Sequence, residues 1–168
     1  MAESETQASS RISAAEQIKS LALNLRASSA DLSSNGELRR LLLLEAESAA
    51  EQSYSPYSKF PVGAALLARD GTVFTGCNVE NASFGGTICA ERTAFVKAVS
   101  EGYREFEMIA VFCKKAKDAW PCGFCRQFMS EFGSSLKVIA YKSEAGVQVR
   151  ELSELLPFMF GPGAMGQS

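Results

Sequence analysis

Three cysteines and a glutamate stand in two short motifs that could hold and use a metal ion. The first motif is T-I-C-A-E-R at residues 87–92, and the second is P-C-G-F-C-R-Q at residues 121–127. Each motif lies where the sequence predicts the start of a helix, a position that lowers the pKa of a thiol. Three convergent thiolates repel one another and require a cation. The chain contains no histidine, so the predicted ligands are Cys89, Cys122 and Cys125.

Zinc is the predicted metal ion, because it binds thiolates in tetrahedral geometry. Three protein ligands leave a fourth position for water, which is typical of catalytic zinc sites. Glu91 would move protons beside that water, although a first-turn glutamate can also simply complement the helix dipole. A redox pair or a zinc ribbon would not explain Cys89 and Glu91, and a ribbon needs a second C-x-x-C. Cys77 and Cys113 end predicted strands and are interpreted as core residues.

The segments around these motifs alternate between strand and helix patterns. Asp70-Gly71 is a strong hairpin turn between the first two predicted strands. This alternation predicts an α/β protein with a partly parallel sheet and right-handed crossovers. The predicted helices cover residues 37–52, 89–100, 122–132 and 150–157, and the predicted strands cover 60–68, 72–79, 108–113, 137–141 and 146–149. Residues 1–36 carry only a weak helical pattern and are interpreted as an appendage.

Composition and charge limit the classes of function. The 168 residues fit one domain, and the net charge of −2 gives no electrostatic reason to expect nucleic acid as a partner. No apolar run approaches the roughly 18 residues of a membrane span, so no membrane association is expected. Because no export signal is recognisable, we expect a cytoplasmic protein whose five cysteines are reduced.

The two motifs resemble those of the zinc-dependent cytidine deaminases, in particular the small homotetrameric three-cysteine branch. The resemblance continues through Y-S-P-Y-S-K-F-P-V-G-A-A-L, G-C-N-V-E-N-A, A-E-R-T-A and E-L-L-P-F-M-F-G-P. It implies a three-layer α/β/α cytidine deaminase-like fold with a central mixed five-stranded sheet. The implied division is an N-terminal extension at 1–36, partly disordered or helical, a deaminase domain at 37–162 and a tail at 163–168. A homotetramer with active sites shared between subunits is also implied.

The resemblance further implies a reaction. Zinc-bound hydroxide would attack C4 of cytidine or 2′-deoxycytidine, while Glu91 carries protons to N3 and to the departing ammonia. The products would be uridine and 2′-deoxyuridine, as in pyrimidine salvage. Because three thiolates outweigh the charge of the metal, Arg92 is expected to hydrogen-bond them and draw off negative charge, although it could be an ordinary surface arginine. We assign no role to Arg126 from the sequence.

The same resemblance implies a set of substrate-binding residues. Asn78 and Glu80, one residue apart on an extended segment, would face the same way and bind the ribose 3′-hydroxyl. A carboxylate there would repel a 3′-phosphate, so free nucleosides are the expected substrates. Phe60 and Phe160 would flank the base, with Phe160 reaching across a subunit boundary. Ala90 completes the implied set.

Two other functions remain open at the level of sequence. An aminonucleoside-antibiotic deaminase of the blasticidin type would share C-A-E and P-C-x-x-C. A non-catalytic, zinc-stabilised interaction module would share the cysteines, but Glu91 and the open fourth coordination position argue against it. A nucleic-acid editor is disfavoured because the chain is mildly acidic and has no basic stripe.

Overall fold

The computed structural model describes residues 13–142 and 146–166 of the chain. Within these residues a single sheet has the strand order β2-β1-β3-β4-β5. The strands are β1 (Gly63–Ala68), β2 (Val73–Cys77), β3 (Phe106–Phe112), β4 (Lys137–Lys142) and β5 (Gly146–Glu151). β3 and β4 are parallel, and the other neighbouring pairs are antiparallel. The predicted α/β class and mixed five-stranded sheet are therefore confirmed.

Helices cover both faces of this sheet. The helices are α1 (Ala14–Ala27), α2 (Gly36–Glu51), α3 (Ala90–Ser100), α4 (Gly123–Ser130) and α5 (Leu152–Leu155). Alternate residues of β1 point to opposite faces, as a strand requires, and all of them are buried. Leu66 belongs to the core under α3 and α4, whereas Leu67 belongs to the core under α1 and α2. The sheet and the helices on its two faces form the expected three layers, with one core on each side of the sheet.

The topology brings the N-termini of α3 and α4 to the same edge of the sheet. β2 and β3 are both antiparallel to β1, which lies between them, so they run in the same direction. α3 follows the carboxyl end of β2, and α4 follows the carboxyl end of β3. Ligand sites in open α/β sheets form outside the carboxyl ends of strands. The two cysteine motifs are therefore expected to meet there.

A glycine on β2 allows α3 to lie close to the sheet. A Cβ atom at Gly76 would be 2.5 Å from both the Ala90 carbonyl oxygen and the Ala94 backbone nitrogen. On the other face, a Cβ atom at Gly63 would be 1.9 Å from the Ala46 carbonyl oxygen of α2. Only glycine permits these backbone approaches. Gly76 therefore fixes how deeply the helix carrying the first motif is seated.

The described part of the N-terminal segment packs into the core. Ile18 and Ala22 of α1 are fully buried in the cluster formed with α2. Arg26 forms an ion pair of 2.5 Å with Glu107 of β3. A short apolar stripe suffices for this packing when a neighbouring helix shares its core. The division of the chain at residue 36 stays a prediction. The first part of the predicted extension, residues 1–12, lies outside the described residues.

Most predicted elements occur with shifted ends. The last helix is shorter than predicted because Arg150 and Glu151 continue β5 and pair with β4. The predicted first strand begins only at Gly63, because the preceding residues contact the Asn78 side chain instead of a neighbouring strand. Within the described ranges, no helix has both the length and the apolar composition needed to cross a bilayer. The tail predicted at 163–168 falls partly outside the described residues.

Candidate active site

The three predicted cysteine ligands meet between the starts of α3 and α4. The Cys89 sulfur lies 3.9 Å from that of Cys122, which lies 3.6 Å from that of Cys125. All three sulfurs are within 4.8 Å of one another. Zn–S bonds of about 2.3 Å in tetrahedral geometry require sulfurs roughly 3.8 Å apart. The cluster therefore fits a zinc ion, and among the described residues no further cysteine joins it.

The local backbone frees these sulfurs for a metal. Cys89 is the N-cap of α3 and Cys122 is the N-cap of α4, both in extended conformation. Neither side chain caps its helix, although Ser, Thr, Asn or Asp at an N-cap would normally satisfy a free backbone N–H. Each sulfur instead lies beside the partial positive charge of a helix N-terminus, which favours thiolate ligands.

The cysteine thiols influence one another's protonation. The pKa of Cys89 is lowered to about 5 because its sulfur accepts hydrogen bonds, chiefly from Cys125 and also from Arg92 and Cys122. The pKa of Cys125 is raised, because its thiol donates to Cys89 and is itself buried. The Cys125 thiol thus keeps its proton while Cys89 has thiolate character. Metal binding would release the proton of the Cys125 thiol.

Glu91 lies in the first turn of α3 with its side chain turned inward. The residue is only 4% exposed, and it lines the same cavity as Cys89 and Cys122. Burial raises the pKa of its carboxyl group to about 7, with a smaller contribution from the Cys89 thiolate. A carboxyl group that titrates near neutrality can both accept and donate a proton. This burial distinguishes Glu91 from a helix-capping surface glutamate.

Arg92 contacts one of the metal-ligand candidates. Its Nη2 atom donates to the Thr87 carbonyl oxygen at 3.1 Å and to the Cys89 sulfur at 3.8 Å. Its Nε atom is buried and has no hydrogen-bond partner among the described residues. The guanidinium group is thus fixed beside a thiolate whose negative charge it partly balances. The predicted tuning role remains a prediction, now with a contact that supports it.

An open cavity of about 530 Å³ adjoins the cysteine cluster. Its volume is in the range of pockets that hold small molecules. Its lining combines Cys89, Cys122 and Glu91 with the polar side chains of Asn78 and Glu80. The lining residues are Ser58, Phe60, Val62, Asn78, Glu80, Thr87, Cys89, Ala90, Glu91, Val111, Cys113, Ala116, Asp118, Ala119, Trp120 and Cys122.

Asn78 is buried at the edge of this cavity and organises the chain around it. Its Oδ1 atom accepts hydrogen bonds from Ser53 Oγ at 2.6 Å and from the Val62 backbone N–H at 2.8 Å. Its Nδ2 atom donates to the Phe60 carbonyl oxygen at 2.9 Å. The side chain thus holds the segment that presents Phe60 to the cavity. One of its two amide hydrogens is not used by these contacts.

Glu80 lines the cavity together with Asn78. Its Oε2 atom accepts hydrogen bonds from the backbone N–H groups of Tyr57 at 2.9 Å and Ser58 at 3.2 Å. These bonds, led by one from the Ser58 side chain, lower the pKa of the Glu80 carboxyl group. The cavity lining therefore carries a fixed negative charge at Glu80.

The structure places the other predicted site residues unevenly. Phe60 and Ala90 line the cavity, whereas Phe160 is 61% exposed and, within the described part of the chain, is not among the lining residues. Cys113 is buried in the core, as predicted, and also lines the cavity. Cys77 is only half-buried, with its sulfur 3.4 Å from the Gln52 carbonyl oxygen.

Sequence reasoning missed several residues of the cavity lining, and two of them, Trp120 and Thr87, adjoin the motifs. Trp120, the only tryptophan of the chain, lines the cavity two residues before Cys122. Its position beside the second motif was the available signal. Thr87 both lines the cavity and offers its carbonyl oxygen to Arg92. No side-chain pattern could have indicated that backbone contact.

The sequence and the fold were compared with known proteins. Residues 37–142 match the family described as the cytidine and deoxycytidylate deaminase zinc-binding region. A cytidine deaminase of Sporosarcina psychrophila is 48% identical over 120 residues, which are 71% of this chain and 88% of that protein. A cytidine deaminase of Halalkalibacterium halodurans is 49% identical over 123 residues, which are 73% of this chain and 93% of that protein.

A solved structure gives the same result for the fold. A crystal structure of cytidine deaminase from Burkholderia pseudomallei matches with a TM-score of 0.69 and 47% identity. The match covers 72% of this chain and 98% of that one. Sequence, fold and the spacing of the three sulfurs agree on one family. The chain belongs to the cytidine and deoxycytidylate deaminases.

Proposed function

We propose that this protein is a zinc-dependent deaminase of free nucleosides. It converts cytidine and 2′-deoxycytidine to uridine and 2′-deoxyuridine and releases ammonia. The observation that carries this proposal is the buried Glu91 carboxyl group, which lines the same cavity as Cys89 and Cys122 of the three-sulfur cluster. Relatives that bear the name cytidine deaminase, at 48% and 49% identity, support the choice of substrate.

Different residues would perform different parts of the reaction. Cys89, Cys122 and Cys125 would hold zinc, which supplies a Lewis acid that lowers the pKa of water toward neutrality. Glu91 accepts one proton from the water whose oxygen adds to C4 and passes it to N3. It then accepts the proton of the resulting C4 hydroxyl group and passes it to the amino group, which leaves as ammonia when the C4–N bond breaks. Its raised pKa suits both steps, because the carboxyl group gains and loses a proton with little cost near neutral pH.

The polar residues of the cavity lining, Asn78 and Glu80, would bind the sugar. The Asn78 amide and the Glu80 carboxylate both line the cavity and are held by backbone contacts before substrate arrives. The ionised Glu80 would accept a hydrogen bond from the ribose 3′-hydroxyl and repel a 3′-phosphate. Phe60 and Ala90 would contact the base. A free nucleoside is therefore preferred over a nucleotide chain.

A homotetramer with shared active sites is part of the proposal. Phe160 is exposed and outside the cavity of its own chain, so a role in base binding requires that it enter the cavity of a neighbouring copy. Light scattering coupled to size-exclusion chromatography would measure the assembly. A Phe160→Ala variant should raise the KM for cytidine while keeping zinc, and a purely monomeric active enzyme would contradict this part.

Three substrates in one assay separate the proposed function from its rivals. The zinc-replete protein would be incubated with cytidine, with blasticidin S and with a cytosine-containing single-stranded oligonucleotide, and ammonia release would be measured. Turnover of cytidine well above the other two supports the proposal. Preference for blasticidin S indicates the antibiotic deaminase. Zinc binding without turnover of any substrate indicates an interaction module.

A further inference from the structure

Two consecutive side chains on α4 face away from the cavity and are not used by the reaction described above. Arg126 and Gln127 directly follow Cys125, and neither lines the cavity. Arg126 bonds Leu155, the last residue of α5, and Gln127 bonds Phe160, five residues further along the chain. We propose that Arg126 and Gln127 are positioning residues that fasten segment 155–160 to the metal-ligand helix.

Arg126 joins two backbone carbonyl groups from distant parts of the chain. Its Nε atom donates to the Pro121 carbonyl oxygen at 2.8 Å, and its Nη1 atom donates to the Leu155 carbonyl oxygen at 2.9 Å. Pro121 immediately precedes the ligand Cys122, and Leu155 ends α5. A carbonyl group at the end of a helix lacks an intrahelical partner, and a cation there is favourable. One guanidinium group thus links the ligand loop to the start of the segment.

Gln127 holds the other end of the same segment. Its Nε2 atom donates to the Phe160 carbonyl oxygen at 2.6 Å and to the Oγ atom of the buried Ser130 at 3.2 Å. Both amide hydrogens therefore have partners, which fixes the orientation of the side chain. The Leu155 carbonyl group is thus tied to α4 by Arg126. The Phe160 carbonyl group is tied to α4 by Gln127 and, at 3.4 Å, by the Ser130 hydroxyl group.

The conformation between these two ends needs such anchors. Phe158 is fully exposed and has a φ angle of 55°, a left-handed conformation that is unfavourable for a bulky residue. Phe160 is also exposed, so little apolar burial of these two rings holds the segment. Leu155 and Met159 pack partly against the core. Without the polar anchors, the strained stretch between them would relax.

The consequence is a link between the metal centre and the aromatic segment. α4 supplies Cys122 and Cys125 at its start and, one step further along, the two anchors of the segment. Displacement of the helix start would therefore displace Phe160, and the reverse also holds because such coupling is reciprocal. The part of this inference that concerns substrate binding rests on the proposed function, since it assigns Phe160 to a nucleoside pocket.

Hydrogen–deuterium exchange on the full-length zinc-loaded protein tests the anchoring without substrate. Gln127→Leu and Arg126→Gln each remove donors, and Arg69→Gln, on the exposed surface, is the matched control. We expect the amides of Leu156 and Ala164, which flank the segment and donate to the Leu152 and Gly161 carbonyl oxygens, to exchange about tenfold faster in the first two variants, the effect of losing about one hydrogen bond. Amides of β3 and β4 should be unchanged in the same samples and report that the sheet is intact. Wild-type exchange of both amides in both variants would overturn the proposal.

Kinetics and zinc retention separate the two anchors. Gln127→Leu should raise the KM for cytidine about tenfold, keep kcat within about twofold and leave zinc retention unchanged. Arg126→Gln should also release zinc to a chelator faster, and Arg126→Lys, which can reach only one of the two carbonyl groups, should restore part of the difference. A fall in kcat at unchanged KM in Gln127→Leu would contradict the positioning role. An inactive wild type would count against the proposed function, while the exchange result would still decide the anchoring.

Discussion

A methyl group added at Gly76 of β2 would test whether the contact between β2 and α3 sets the geometry of the metal site. In Gly76→Ala the new Cβ atom would lie 2.5 Å from the Ala90 carbonyl oxygen and from the Ala94 backbone nitrogen. Ordinary contact begins near 3.4 Å, so α3 must shift by about 0.9 Å. The shifted helix start carries Cys89 and Glu91. The substitution therefore acts on the site although residue 76 does not line the cavity.

The expected losses follow from that displacement. Overpacking of this kind costs about 1–3 kcal/mol of the free energy of unfolding. A misplacement of about 1 Å of catalytic groups costs about 100-fold in rate. We therefore expect Gly76→Ala to lose stability in chemical denaturation, to bind zinc more weakly and to show kcat/KM for cytidine reduced by about two orders of magnitude.

Two other glycines provide the controls. Gly85→Ala places its Cβ atom in open space, so it should leave stability, zinc content and kcat/KM unchanged. Gly63→Ala clashes with the Ala46 carbonyl oxygen on the opposite face of the sheet, so it should lose stability with a smaller effect on the folded enzyme's kcat/KM. If Gly76→Ala kept wild-type stability, zinc content and kcat/KM, the reasoning about the seating of α3 would be refuted.

Three further substitutions test other parts of the structure. Arg92→Gln should reduce zinc retention or turnover about 10–100-fold, because it removes a charged donor from the Cys89 sulfur; unchanged retention and turnover would rule out the tuning role. Ile18→Ala should lower the free energy of unfolding by about 2–5 kcal/mol with kcat/KM nearly unchanged, whereas unaltered stability would show that α1 is not docked in solution. Glu80→Gln should raise the KM for cytidine and weaken discrimination against cytidine 3′-monophosphate, and an unchanged ratio of the two kcat/KM values would contradict the role of its charge.

The cysteine cluster and the position of Glu91 beside it could be predicted because their signals are local. Cys89, Cys122 and Cys125 each belong to a short motif at a helix start, and the alternation of strands and helices places both starts at one edge of the sheet. The absence of histidine removed the competing ligand type. The raised pKa of Glu91 could not be predicted, because it depends on burial that only the packed structure determines.

Features that depend on long-range backbone contacts could not be predicted from the sequence. The role of Arg126 depends on the carbonyl groups of Pro121 and Leu155, which any residue type would offer. In the sequence, Gly76 looks like any glycine within a strand pattern, so its close approach to α3 could not be predicted. Ile18 is buried because α2 packs against it. The weak apolar pattern of the N-terminal segment, taken alone, does not indicate this packing.

The central claim is that Glu91 moves protons beside a zinc ion held by three cysteines. Glu91→Gln keeps the size of the side chain and removes its ability to accept a proton. We expect this variant to retain zinc at the wild-type level and to lose cytidine turnover by about 10²–10⁴-fold. Glu101→Gln, at the other end of α3, is the matched control and should keep both. Wild-type turnover in zinc-loaded Glu91→Gln would contradict the claim directly.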